Sequence, residues 1–226
     1  SIPLAFNGVN GVMGANTISV VVSDPNGQSD GNTTNDERSV QFTIFNSIGG
    51  PAVSETFASA SFPPSGWSEL NGGDVAGWEY STAGLNGAGS AKMNFVYSPA
   101  GDFDAIVMPT MDMTGYDNAV LTFDIAAARY GTSNDNLKVK VSYNCGLTWT
   151  TLYNKTGAAL ATVGSQTSIF TPTNANQWRA ESINLNNYLT RPALLVKFEA
   201  FSNQGNNLYL DNINMSLTTG LNIVNR

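Results

Sequence analysis

"VLTFDIAAARY" (residues 120–130) and "LKVKVSY" (137–143) decide the fold. In the first, Leu121, Phe123 and Ile125 alternate with Thr122 and Asp124; in the second, Leu137, Val139 and Val141 alternate with Lys138, Lys140 and Ser142. Successive side chains of a strand point to opposite faces, so a period of two marks strands with one buried side. Leu194, Val196 and Phe198 repeat the pattern in "LLVKFEAF" (194–201), and "NLYLDNINMSL" (207–217) closes the set. No amphipathic helix longer than a turn or two is visible. Many short strands separated by Gly and Asn turns predict an all-β fold, a sandwich or jelly roll.

Upstream, "NTISVVVS" (16–23) places Ile18, Val20 and Val22 on one face, and "RSVQFTIF" (38–45) does the same with Val40, Phe42 and Ile44. Between them "DPNGQSDGNTTNDE" is rich in turn formers, which predicts two antiparallel strands and a long loop. Two strands are marginal alone. Residues 1–46 therefore read either as the last strands of an immunoglobulin-like sandwich whose earlier strands lie outside this chain, or as a piece docked on the main domain. Residues 47–52 read as a linker, 53–217 as the main domain, and 218–226 as a second linker. The start at Ser1, without a signal peptide, reads as a cut inside a longer protein.

Composition narrows the function. The chain carries 10 Lys and Arg against 17 Asp and Glu, a net charge of -7. No basic stripe exists for nucleic acid or for an anionic membrane surface, and no apolar run reaches spanning length. Charged residues make up 12% where about 25% is usual, a polar, uncharged balance associated with secreted bacterial β proteins. One cysteine makes no internal disulfide. There is no histidine, which excludes Ser-His and Cys-His nucleophile pairs and the His-bearing zinc sites within this chain.

Two acidic residues stand out by parity. Glu55 in "VSETF" shares phase with Val53 and Phe57, and Asp211 in "LDNINMSL" shares phase with Ile213, Met215 and Leu217. Unless a bulge intervenes, both carboxylates point at apolar neighbours, where an unpaired charge is costly. Calcium, which takes six to eight oxygens, answers that cost, and Asp74 in "ELNGGDVAG" is placed to supply more of them. The alternatives are solvated strand ends and a glycosidase acid/base pair. The loop acids Asp24, Asp30 and Asp36 do not match the spacing of an EF-hand. Among the aromatics, Trp67 and Trp78 read as core. Tyr130, ahead of the "GTSNDN" turn, and Tyr209 are the candidates for ligand contact.

"SYNCGLTW" (142–149) is similar to the Asp-box pattern S-x-D-x-G-x-T-W, with Asn144 in place of Asp. Asn144 is expected to close an Asx-turn, Gly146 to supply a positive φ, and Trp149 to pack beneath the hairpin. Cys145 then sits at a loop tip, with no histidine to activate it.

Taken in order, "ETF…FPPSGWSELN…GWEYST…GSAKMNF…DFDAIVMPTMDMTGYDNAVLTFDIA", "NLKVKVSYNCGLTWTTLYNKTG" and "NNLYLDNINM" resemble the MAM-like, cleaved-adhesin (choice-of-anchor) domains of secreted Bacteroidetes proteins, over about residues 53–217. The resemblance implies a galactose-binding-like jelly-roll sandwich, secreted or at the cell surface. It implies a noncatalytic module with structural calcium, held by ligands on the first and last strands. Glu55 and Asp211 match those places, Asp74 lies in the corresponding loop, and Asp104 falls where the family keeps an acidic residue. Such modules serve adhesion, with a glycan or an extracellular protein as partner, beside preceding and following domains of the same polypeptide, and often ahead of a type IX secretion signal. The alternative is an accessory C-terminal domain of a secreted hydrolase, such as a metallopeptidase, whose catalytic domain lies outside this chain.

Overall fold

The computed structural model describes residues 14–22, 27–28, 31–45, 47–48, 53–71, 76–87 and 89–220. They belong to two compact units, Ser1–Phe45 and Asn46–Arg226.

In the first unit β1 (Gly14–Val21) and β2 (Glu37–Ile44) form the antiparallel pair expected from the alternation, in register from Gly14 opposite Ile44 to Val21 opposite Glu37. Ile18 lies opposite Val40 and Asn16 opposite Phe42, so the apolar residues of both strands share one side. Val20, Val40 and Phe42 on that side are exposed.

The second unit holds the remaining strands: β3 (Ser47–Ile48), β4 (Val53–Glu55), β5 (Ser68–Asn71), β6 (Trp78–Ser81), β7 (Ser90–Met93), β8 (Phe103–Val107), β9 (Thr110–Met111), β10 (Asn118–Ala127), β11 (Asn136–Ser142), β12 (Thr150–Thr156), β13 (Arg179–Asn184), β14 (Leu195–Phe201) and β15 (Leu208–Thr218). Six form one sheet in the order β13-β10-β15-β7-β6, with β4 also pairing β15. Five form the other, β12-β11-β14-β8-β5. All of these pairings are antiparallel. Crossovers between non-consecutive strands in both sheets give the jelly-roll sandwich that the sequence predicted. Ser47 and Ile48, expected in a linker, instead pair in parallel with Thr110 and Met111 of this unit.

The alternating residues meet between the sheets. Leu121, Phe123 and Ile125 from one layer pack with Leu137, Val139, Val141, Val196 and Phe198 from the other, all fully buried. Phe123 sits edge-on to Phe198, with centroids 5.1 Å apart, and to Tyr153 at 5.5 Å. Each such aliphatic or phenyl side chain contributes about 1.5–3 kcal/mol on burial. Trp67 and Trp78 belong to this core, as expected. The alternate residues of β11 and β14 form a charged layer on the outer side: Lys140 and Lys197 reach Glu199 at 2.5 and 2.7 Å, and Lys197 lies over the Trp149 ring at 4.5 Å.

At the open side of the sandwich, edge strand β13 of one sheet meets edge strand β12 of the other. Glu181 of β13 accepts hydrogen bonds from Lys155 Nζ (2.6 and 2.8 Å) and from the Tyr153 hydroxyl (3.1 Å), both of β12. Its own neighbour Arg179 adds a third donor at 2.8 Å. Burial acts to raise the Glu181 carboxyl, but these cationic hydrogen bonds overturn it and hold the group below its ordinary value. Burial and then the adjacent Glu181 charge push the Tyr153 hydroxyl up.

Candidate functional site

Two places gather the chemistry. The first lies where β4, β10 and β15 run side by side. Thr122 opposes Asn214 and Asp124 opposes Asp211, so one residue of β10, Phe123, faces two of β15, Asn212 and Ile213. This is a β-bulge, and Asn212 takes the left-handed backbone it requires, φ 49°. The bulge reverses side-chain parity along β15. Leu208 and Leu210 face the core on one side of it, and Ile213 and Met215 on the other. Asp211, expected to share the face of Ile213, is instead on the outer face with Asp124.

Asp211 is nonetheless only 1% exposed, because the loop after β6 covers it. Its Oδ2 accepts the Leu85 N–H at 2.8 Å and its Oδ1 the Asn212 N–H at 2.7 Å. Glu55, at the end of β4, lies opposite Ile213 in the inward phase predicted for it. Its Oε1 accepts the Phe57 N–H at 2.5 Å, where the chain turns through φ 50°. Asp124 Oδ2 accepts from the Asn212 amide at 2.9 Å. Burial drives the Asp211 carboxyl above its ordinary value; the two backbone donors oppose this, and the charges of Asp124 and Glu55 reinforce it.

Among the described residues no lysine or arginine is ion-paired with these three carboxylates. Nor, as the side chains stand, do three acidic groups of the described residues converge as a metal cluster. The expected ligand set is therefore divided. Glu55 and Asp211 stand in one another's field, joined by Asp124, which the sequence reading did not select. Asp104 is fully buried in β8 of the opposite sheet, opposite Ala200 and Asn71, and its carbonyl accepts the Trp78 indole N–H at 3.2 Å. Asp74 lies outside the described residues.

The second place is the end of the sandwich where Tyr130 leads into the turn before β11. Here a pocket of about 310 Å³ is lined by Tyr130, Thr167, Ser168, Ile169, Gln204 and Asn206, among others. Tyr130 is 52% exposed at its rim. Two buried polar side chains hold the loops around it. Asp135 accepts the N–H groups of Asn203 (2.8 Å) and Gly205 (3.0 Å) and the Ser133 hydroxyl (3.0 Å). Asn206 accepts from Phe170 N–H (2.7 Å) and Asn207 N–H (2.9 Å), and donates to the Ser168 carbonyl at 2.8 Å.

Tyr209, the other expected ligand contact, is not available: it is 1% exposed. It lies on the outer face of β15, as parity requires, but the segment between β12 and β13 folds over that face. The Tyr209 hydroxyl donates to the Phe170 carbonyl at 2.9 Å, and its ring packs against Phe170 and Trp178.

The stretch 142–149 is a hydrogen-bonded turn, but Asn144 does not close the expected Asx-turn, since the Gly146 N–H goes to Ser142 Oγ. Asn144 Oδ1 accepts from the Ser142 hydroxyl (2.8 Å) and from Thr148 N–H (3.0 Å), and Ser142 Oγ accepts from Gly146 N–H at 3.0 Å. Gly146 takes φ 81°, and Cys145 itself takes φ 58° at an exposed tip.

No family model matches the sequence, and no curated protein matches it. Solved structures do. The K1 cleaved adhesin domain of Lys-gingipain from Porphyromonas gingivalis W83 is 17% identical, over 76% of this chain and 100% of that one, with a TM-score of 0.55. The K3 cleaved adhesin domain of the same protein is 19% identical, over 73% of this chain and 98% of that one, with a TM-score of 0.51. The chain thus has the cleaved-adhesin fold that its ordered motifs resemble. Among the described residues no helix is long and apolar enough to cross a membrane.

Proposed function

We propose that the jelly roll is a noncatalytic binding module of a larger secreted or surface protein, with a glycan or an extracellular protein as partner. The observation that carries this reading is the pocket at the Tyr130 end. It combines an exposed aromatic with hydroxyl and amide groups on loops fixed by Asp135 and Asn206. Pre-formed concave sites with a few convergent polar groups are what ligand binding uses. Fold likeness to two adhesin domains accords with it. A second reading, an accessory domain of a secreted hydrolase, assigns this chain the same binding role.

Calcium is the second part of the proposal. Glu55, Asp124 and Asp211 offer an all-oxygen donor set with no basic partner among the described residues, which suits a hard cation. Bound there, calcium supplies positive charge that relieves the mutual repulsion around Asp211, and so ties β4, the last residues of β10 and β15 together. Its role is structural.

The test is immobilisation of the chain on an array of glycans and of extracellular matrix proteins, with Tyr130→Ala in parallel. Retained binding that weakens in Tyr130→Ala supports the reading. Silence on both arrays by a folded protein would overturn it.

A further inference from the structure

The pocket beside Tyr130 also indicates what kind of ligand it takes, provided that the module binds ligand there as proposed above. Four side chains lining it carry hydrogen-bonding groups that make no hydrogen bond among the described residues: the Tyr130 hydroxyl, the Thr167 and Ser168 hydroxyls, and the Gln204 amide. All four are uncharged. Among the described residues no lysine, arginine, aspartate or glutamate lines the pocket. Asp135, which lies against Gly205, has three donors already on its oxygens. Arg129 is turned to the Ser133 carbonyl at 2.9 Å. Beside Gly205 and the fully engaged Asn206, the wall has an apolar part: Val96, an exposed Ile169 and the Tyr130 ring.

We infer that this pocket binds a neutral sugar. A pyranose or furanose has an apolar C–H face and a rim of hydroxyls that both donate and accept. The Tyr130 ring and Ile169 match the first, and the hydroxyl and amide groups match the second, since each can serve as donor or acceptor. An acidic sugar finds no cation here, and approaches a chain of net charge -7. Size limits the ligand further. At about 310 Å³, the pocket is near the small end of ligand sites, which start at about 300 Å³, and so seats a terminal residue rather than a long chain. The loops need little ordering on binding, because Asn206 and Asp135 already hold them, and such preorganisation preserves affinity.

The experiment uses the full chain on an array of neutral mono- and disaccharides alongside their uronic-acid and sialylated counterparts. Hits are followed by titration at low and high salt. Neutral sugars are expected to bind with no salt dependence, and to weaken about tenfold or more in Tyr130→Ala and Gln204→Ala. Tyr143→Ala, an exposed tyrosine on the hairpin at the other end of β11, leaves binding unchanged. Preference for the acidic sugars, or binding that salt abolishes, overturns the ligand class. Neutral binding indifferent to both pocket variants overturns the site but leaves the module reading standing. A protein silent on sugars that still captures a matrix protein overturns this inference alone; silence towards both overturns the binding module as well.

Discussion

Replacing Glu181 with glutamine tests whether the open side of the sandwich is held by charge. The carboxylate takes two hydrogen bonds from Lys155 and one from Arg179, and its side chain is 10% exposed. A hydrogen bond to a charged group contributes about 1.5–3 kcal/mol and a neutral one about 0.5–1.5. Glutamine keeps the shape but not the charge, which gives a raw loss of about 3 kcal/mol over three bonds. Lys155 and Arg179 are each about a third exposed, so solvent takes up part of the deficit. The net cost is about 2 kcal/mol, or about 4–8 °C in Tm for a chain of this length. The pH dependence carries the sharper test. The folded carboxyl lies below its ordinary value of 4.5, so its contribution is complete above that pH and is lost as pH falls through the folded value. Glu199 titrates in the same direction in both proteins and cancels in the difference. Melting curves of wild type and Glu181→Gln should therefore converge on acidification. A deficit under about 0.5 kcal/mol at pH 7, or one that persists unchanged well below pH 4.5, would refute the charged clasp.

Three other outcomes follow from the geometry. Calcium at a hundredfold excess over its dissociation constant should stabilise the protein by about 2.7 kcal/mol, seen as a rise in Tm that chelation reverses and magnesium does not reproduce; Asp211→Asn should lose that rise, and an equal rise in the variant removes Asp211 from the site. Gly205→Ala should destabilise by about 1–3 kcal/mol and disturb the pocket, because the new methyl would meet the Asp135 carboxylate and the Ser133 hydroxyl; unchanged melting and binding would show that Asp135 does not anchor these loops. Alkylation of Cys145 should go to completion in the native state and shift stability by no more than about 0.5 kcal/mol, since the thiol is an exposed tip outside the core; protection from the reagent would contradict that placement.

The sandwich was legible because its core obeys a strict alternation: the residues picked out in 121–125, 137–141 and 194–198 are the ones buried between the sheets. What alternation conveys is a face, not what covers it. Tyr209 lies on the outer face and was expected to be open, yet the segment that includes Phe170 and Trp178 closes over it, and no local pattern announces that docking. Asp211 shows a second limit. One extra residue at Asn212 inverts the parity of everything beyond it, and an Asn between two polar-flanked strands gives little warning of a left-handed bulge. Asp124 was passed over for the same reason, since its importance comes only from the register that sets it opposite Asp211. Tyr130 was recoverable from its loop, whereas Thr167, Ser168 and Gln204 come from two distant segments whose meeting depends on Asp135 and Asn206. The clasp at Glu181 likewise joins strands of different sheets.

The pairing of β4 with β15 has a mechanical meaning. After β3 the chain enters the six-stranded sheet at Val53, which sits beside Met215 near the end of β15 on one ladder, with Ser54 opposite Asn214 and Glu55 opposite Ile213. Tension drawn along the polypeptide pulls on both strands from the same end. It therefore loads their hydrogen bonds one after another, like the teeth of a zip, and not all together in shear. The seam loaded in this way is short, a strand of three residues. At the far end of that seam stands the acidic group of Glu55 with Asp211 and Asp124, so an ion held there would resist the opening of β4 from β15.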